Sequence, residues 1–399
     1  MNDSLSPPDP SVLQPQLITD DGELHRLCQY WGTLPVLAMD TEFIRVDTFY
    51  PQLGLLQVCD GRGSYLLDPL VLEDWAAFRA LLADEAITKV LHACSEDLLV
   101  FNEYFGVIPK TVFDTQKAAA FLGLGYSISY QNLVRELLGI EVDKGETRSD
   151  WLRRPLSEQQ LHYAALDVAY LPAIHARMSE HLDRNGHLAD LLDECDQMTV
   201  LAALTEDEKD WDTLYLNMGA AWRLDRGQLA ILRALSRWRE REARRLNIPR
   251  PWVAKDSDLI LLAQQAPDNR QSLRGLGDLS RAARDVDADV LLELIGEAHR
   301  QPVPADAVPA GQPLGPAQRR TLKRCQAMVR KVAEEQGVAV ELLARKKQLI
   351  TLLELAAKSD WQWPEELGGW RRQLLEPSLR PLLNGEEAAK SEASSTEET

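Results

Sequence analysis

The sequence predicts an α/β domain, a mixed sheet flanked by helices, followed by two small all-α domains. Three observations predict it. Residues 16–200 alternate short β-branched or apolar runs with helical patterns. From about residue 219 onward the strand signals vanish and helical periodicity takes over. Within that helical part, one segment repeats another in diverged form.

In the first part, residues 36–43 read as a strand. Residues 55–59 and 64–67 read as two strands joined by Asp60-Gly61-Arg62-Gly63, a hairpin turn. Helical spacing follows over 70–82, then a strand over 88–92 and a helix over 95–104 ended by Gly106. A helix over 129–138 stops at Gly139. Ser157 is a good N-cap for a long helix running past Asp167 and bent at Pro172. Three consecutive strands, the first two antiparallel, followed by βα alternation give a mixed sheet covered by helices.

In the second part, helical periodicity covers 226–246, 256–265, 280–299, 316–336 and 346–358. Residues 301–315 hold four prolines and two glycines and read as a linker. On one side of it, Val253-Ala254-Lys255 leads to Leu259-Ile260-Leu261-Leu262. On the other, Leu343-Ala344-Arg345 leads to Leu349-Ile350-Thr351-Leu352 at the same offset. A Gly-hydrophobic pair follows each, Gly275-Leu276 and Gly369-Trp370. The expected division is therefore a disordered arm over 1–14, the α/β domain over 15–212, helical domains over 219–300 and 316–385, and a disordered acidic tail over 386–399.

A chain of 399 residues fits two or three domains. No apolar stretch is long enough for a membrane span, and the N-terminus lacks the pattern of a signal peptide. The five cysteines, Cys28, Cys59, Cys94, Cys195 and Cys325, are widely spaced with no Cys-x-x-Cys pair. That argues against a disulfide framework or structural zinc and suits a reducing cytoplasm. The net charge of −18 divides unevenly: −21 over 1–218, +7 over 219–385 and −4 in the tail. Such a split suits carboxylates that bind metal in one part and Lys and Arg that bind phosphate in the other, or simply two solvated surfaces of unequal charge. No Walker loop or dinucleotide fingerprint is present, so ATP or NAD use is not indicated.

Three short motifs could carry chemistry. Asp40-Thr41-Glu42-Phe43 closes an apolar strand, and acids two apart on a strand project to the same side. They form either a hard-oxygen site for Mg²⁺ or Mn²⁺ or an exposed polar strand end. Asp97, in Ser95-Glu96-Asp97-Leu98, is either a ligand or an ordinary first-turn acid. In Tyr163-Ala164-Ala165-Leu166-Asp167, the phenol and the carboxylate share a helix face.

Taken in order, these motifs and the text around them resemble the DEDD exonuclease superfamily, of the RNase H-like fold class. Within it the chain resembles the ribonuclease D family of the tyrosine subgroup. The matching text is Asp40-Thr41-Glu42-Phe43, His92-Ala93-Cys94-Ser95-Glu96-Asp97-Leu98 and Phe113-Asp114-Thr115-Gln116. It continues through Ser149-Asp150-Trp151, Arg154-Pro155-Leu156 and Tyr163-Ala164-Ala165-Leu166-Asp167-Val168, within 15–210. The repeated helical segments resemble HRDC domains, the second copy being the more diverged.

The resemblance implies a metal-dependent, hydrolytic 3′–5′ exoribonuclease releasing nucleoside 5′-monophosphates. Asp40, Glu42, Asp97 and Asp167 would hold two divalent metal ions, roughly 4 Å apart. Tyr163 would orient the attacking water. Its partner substrate would be RNA with a free 3′ end, tRNA precursors in particular. His162 also stands at the spacing of the sister subgroup that uses a histidine base, but it lies about 100° around the helix from Tyr163, which shares the face of Asp167. Phe43 could stack on a terminal base, and Lys144, Arg148, Arg153 and Arg154 could hold backbone phosphates. Arg319, Arg320, Lys323, Arg324 and the run Arg345-Lys346-Lys347 offer further phosphate contacts, while Trp252, Trp361, Trp363 and Trp370 are expected in the helical cores. Two other readings are a 3′–5′ DNA exonuclease and a catalytically inactive nucleic-acid-binding scaffold. Without a long heptad pattern, a monomer is expected.

Overall fold

The computed structural model describes residues 10–142, 145, 149–298, 300–304, 307–358 and 360–384. The first part contains β1 (Pro15–Ile18), α1 (Asp21–Trp31), β2 (Val36–Ile44), β3 (Gln52–Cys59), β4 (Ser64–Leu67), α2 (Ala76–Ala83), β5 (Thr88–Leu91), α3 (Ser95–Phe105), β6 (Val112–Asp114), α4 (Thr115–Phe121), α5 (Tyr130–Leu138), α6 (Glu158–Ala169), α7 (Leu171–Arg184) and α8 (Leu188–Leu204). The second part is helical throughout: α9 (Arg226–Leu246), α10 (Arg250–Val253), α11 (Asp256–Gln265), α12 (Arg270–Arg274), α13 (Arg281–Asp285), α14 (Ala288–Ala298), α15 (Pro316–Gln336), α16 (Val340–Leu343), α17 (Lys346–Ala356) and α18 (Gly369–Leu383).

The six strands form one mixed sheet in the order β1-β4-β3-β2-β5-β6. β2 pairs antiparallel with β3 and parallel with β5. β4 closes the hairpin on β3 and takes β1 as a parallel edge. Running parallel, β2 and β5 end at the same edge of the sheet, so Asp40 and Glu42 emerge beside the first turn of α3. Local signals set the helix ends: Ser157 and Gln160 form a reciprocal capping box that starts α6, and Gly106 and Gly139 end their helices in the left-handed conformation.

Several boundaries differ from the sequence expectation. The long helix breaks at Tyr170, and Pro172 lies in the first turn of the new helix α7, where its missing N–H costs nothing. The expected helix over 70–82 begins only at Ala76, because Asp68 and Asp74 side chains cap turns before it. The expected helix over 280–299 divides at Val286 and Asp287, where the Asp287 carboxylate accepts from Asp289 N–H. Pro10–Leu13 form a 3-10 turn, and the buried Val12 accepts from Ser64 Oγ, so the chain joins the fold earlier than an arm over 1–14 would allow. The acidic tail lies outside the described residues.

The core of the first helical domain runs from Tyr215 to Val303. The expected linker is partly tied down: Arg226 donates to Val303 O at 2.9 Å and Pro304 O at 2.7 Å, and Ala310 N–H donates to Leu216 O at 2.8 Å. Trp363 and Trp370 are buried as expected, but Trp252 is 55% exposed. In the single turn of α10, Val253 faces the core and Trp252 does not.

Both helical domains dock on the sheet domain. The second shares its hydrophobic core, with Phe121 against Trp370 at 5.1 Å and Ala339 N–H donating to Ala120 O at 2.8 Å. Glu194 of α8 is buried against Arg371 of α18, with Nη2 to Oε2 at 2.6 Å. The first docks on the β2–β3 loop: Asn247 Oδ1 accepts from Phe49 N–H at 3.1 Å and Tyr50 N–H at 3.0 Å, and the Arg244 guanidinium lies 4.4 Å from the Phe49 ring centre.

Candidate active site

Strand alternation sends Asp40 and Glu42 to the same face of β2. That face is covered by α6, which brings Asp167 down onto them. One oxygen of each of Asp40, Glu42 and Asp167 lies within 4.8 Å of the others. Asp97 is outside that triplet. It is buried in the first turn of α3, accepts a hydrogen bond from Thr41 Oγ1, and its charge acts on both Asp40 and Glu42.

The electrostatics are those of carboxylates crowded together in a buried site. Burial, then the charges of Asp97, Asp167 and Glu42, raises Asp40 well above the usual carboxylate range. Burial, then Asp167 and Asp97, pushes Glu42 up to about 8. Burial carries Asp167 to about 7 against the opposing pull of a hydrogen bond from Tyr163. Asp97 is raised by burial to about 6, with the Thr41 hydrogen bond pulling the other way. Hard oxygen donors in this number and proximity fit a divalent cation such as Mg²⁺ or Mn²⁺, which removes the repulsion they otherwise suffer.

Tyr163 stands one helical turn before Asp167, and burial and the neighbouring acids raise its phenol pKa. Its ring packs 6.2 Å from Trp151 and against Leu55, Leu66 and Ala164. Gly145 passes so close that a β-carbon there would lie 2.2 Å from Tyr163 Cδ2. His162, by contrast, is exposed to solvent.

The weaker candidates divide. Phe43 is half-buried and packs against the core. Lys144 and Arg148 lie outside the described residues. Arg154 does not meet the expectation of a phosphate contact. Its guanidinium donates to both oxygens of Asp68 at 2.6 and 2.7 Å and to the carbonyls of Gly54, Trp151 and Arg153, which uses all five of its N–H groups.

Sequence reasoning passed over Thr41 and Asp114. Thr41 lies between the two acids of β2 and points away from them, a position that reads as an ordinary strand threonine. Asp114 stands in Phe113-Asp114-Thr115-Gln116, yet its work is visible only in three dimensions. Its carboxylate caps α4 at Gln116 and Lys117 N–H and also accepts from Ala93 N–H at 3.2 Å and Cys94 N–H at 2.9 Å. It thereby holds the turn that delivers Asp97, where Ala93 adopts a left-handed φ of 58°.

A mixed sheet whose strand acids Asp40 and Glu42 meet Asp167 of a covering helix, with Tyr163 one turn before it, defines the class: a 3′–5′ exonuclease of the DEDD superfamily. A 3′–5′ exonuclease domain model matches residues 15–183, an HRDC domain model 228–295, and a model of the ribonuclease D C-terminal HRDC domain 316–379. The chain is 42% identical to ribonuclease D of Pseudomonas paraeruginosa, over 94% of this chain and 98% of that protein. It is 38% identical to ribonuclease D of Escherichia coli, over 92% and 98%. The crystal structure of Escherichia coli RNase D, described as an exoribonuclease involved in structured RNA processing, matches with a TM-score of 0.81 at 37% identity, covering 93% of this chain and 98% of that one. The chain belongs to the ribonuclease D family. It is a 3′–5′ exoribonuclease dependent on divalent metal, with two HRDC domains after the RNase H-like domain.

Proposed function

We propose that the enzyme hydrolyses the last phosphodiester of an RNA strand with two divalent cations held by Asp40, Glu42, Asp97 and Asp167, and with Tyr163 orienting the water. The observation that carries this reading is the meeting of Asp40, Glu42 and Asp167 within 4.8 Å, although 127 residues separate the first from the last. Divalent ions, when bound, supply Lewis-acid stabilisation of the phosphoryl oxygens and lower the pKa of water. Tyr163, kept protonated by its raised pKa, donates to Asp167 and offers its oxygen to the attacking water, so it positions and does not deprotonate. The water oxygen bonds to phosphorus as the bond to the 3′-oxygen breaks. One water proton ends on that oxygen, and the products are a nucleoside 5′-monophosphate and a strand one residue shorter.

The substrate is a structured RNA with a free 3′ end, tRNA precursors above all, with the basic HRDC region gripping phosphates through exposed side chains such as Arg319, Arg320, Lys323, Arg345 and Lys346. Five free, buried cysteines suit a reducing cytoplasm, and one chain carries the whole acidic cluster, which suits a monomer. No described helix is long and apolar enough to cross a membrane.

The test is a degradation ladder on matched RNA and DNA oligonucleotides and on a tRNA extended at its 3′ end, with Mg²⁺, with EDTA and with Asp40→Asn. Mononucleotide release from RNA, abolished by EDTA and by the substitution, is expected. Equal degradation of DNA would establish the broader nuclease, and RNA binding without cleavage a scaffold.

A further inference from the structure

Gln57 of β3 lies directly opposite Asp40 in the antiparallel ladder. Directly opposed residues project to the same face, with β-carbons about 5 Å apart. Gln57 is fully buried, and neither its Nε2 nor its Oε1 has a hydrogen-bond partner. Among the described residues it is the only side chain with two such atoms. Its neighbours two residues away on the same face, Leu55 and Cys59, are apolar and equally buried. An apolar residue would fill that position without the desolvation that an unpaired amide suffers. The amide therefore needs a reason, and the group across the ladder is a carboxylate of the acidic cluster.

We propose that Gln57 is a positioning residue for Asp40: with a cation bound, its Nε2–H donates to one carboxylate oxygen and so holds the other toward the cation. The inference rests on the metal-binding reading above. An uncharged amide suits the role. A Lys or Arg would compete with the cation, and a Glu would add another negative charge to a crowded cluster. Outer partners of this kind fix the orientation of ligating side chains, and their loss costs 10–100-fold in metal affinity.

The test compares wild type with Gln57→Met, which keeps length and removes both polar atoms, by thermal unfolding in EDTA and across an Mg²⁺ titration. The metal-free variant is expected to be at least as stable as wild type, with the half-maximal Mg²⁺ concentration raised about 10–100-fold. On RNA, kcat at subsaturating Mg²⁺ falls while KM holds. Gln57→Asn, which retracts the amide by one methylene, is expected to weaken Mg²⁺ in the same direction and serves if the Met variant does not fold. A less stable metal-free Met variant with an unchanged Mg²⁺ titration, or an Asn variant of wild-type Mg²⁺ affinity, overturns the proposal. A wild type whose stability ignores Mg²⁺ overturns the metal-binding reading as well, so the two failures are distinguishable.

Discussion

Thr41 donates its hydroxyl to the carboxylate of Asp97, joining the acid strand to a helix 56 residues away. The bond pulls the Asp97 pKa down against burial. It also links the fourth acid to the strand that carries the first two, on the far side of the backbone from Asp40 and Glu42. A hydrogen bond to a charged group contributes roughly 1.5–3 kcal/mol. Thr41→Val should therefore weaken Mg²⁺ affinity about tenfold or more and move the acid limb of the pH–rate profile upward at subsaturating Mg²⁺. An unchanged acid limb would show that Asp97 titrates independently of Thr41.

The raised carboxylates make metal-free stability depend on pH. Glu42 at about 8, Asp167 at about 7 and Asp97 at about 6 bind protons more tightly folded than unfolded, where ordinary values are 4.5 and 3.8. Proton release then favours the unfolded chain. The contribution is fully present below about pH 4 and is lost as pH rises through 6 to 8. Tm in EDTA should fall across that window, and saturating Mg²⁺ should flatten the fall. A Tm in EDTA that rises across the same window contradicts the crowding.

Tyr163 and His162 separate cleanly. Tyr163→Phe keeps the packing against Trp151 but loses the hydroxyl that positions the water, and kcat should fall about a hundredfold. His162→Ala, at an exposed position, should leave kcat within twofold of wild type (about the scatter of surface substitutions). Loss of activity in the His162 variant alone reverses the assignment.

Gly145 guards the same tyrosine. A β-carbon 2.2 Å from Tyr163 Cδ2 forces the ring or the segment to move. Gly145→Ala should lower kcat toward the Tyr163→Phe level, and the double variant should add little beyond either alone. Additive losses in that cycle would mean that the two residues act separately.

Glu194 and Arg371 hold the second HRDC domain to the nuclease domain, both nearly excluded from water. Trp370 Nε1–H also donates to Glu194 at 3.3 Å. Arg371→Met leaves a buried carboxylate unpaired, which costs about 3–5 kcal/mol. Urea unfolding should show that loss, and much of it should return in Glu194→Gln/Arg371→Met. A surface-like change under about 0.5 kcal/mol in the single variant would place the pair in solvent.

Particular local signals foretold the central hairpin and several helix ends, but not the order of the sheet. Asp60-Gly61-Arg62-Gly63 announced the β3–β4 hairpin, and Ser157, Gly106 and Gly139 marked helix ends where the structure has them. β1 and β6, of four and three residues, were too short to show a period, and their strand character comes from pairing at the sheet edges. Arg154 was misread because a basic residue beside a motif says nothing of which acceptors surround it. Trp252 was misread because a tryptophan's size does not say which way one turn of helix will face.

From the sequence alone came the α/β part followed by the helical part, the central strands, several helix ends and the chemical types of the acids, since periodicity, caps and turn residues act over a few neighbours. Tertiary structure alone decided that Asp167 meets Asp40 and Glu42, that Thr41 reaches Asp97, and that Gln57 stands across from Asp40. Those meetings depend on strand register and on the angle at which α6 crosses the sheet, and both are outcomes of packing the whole core.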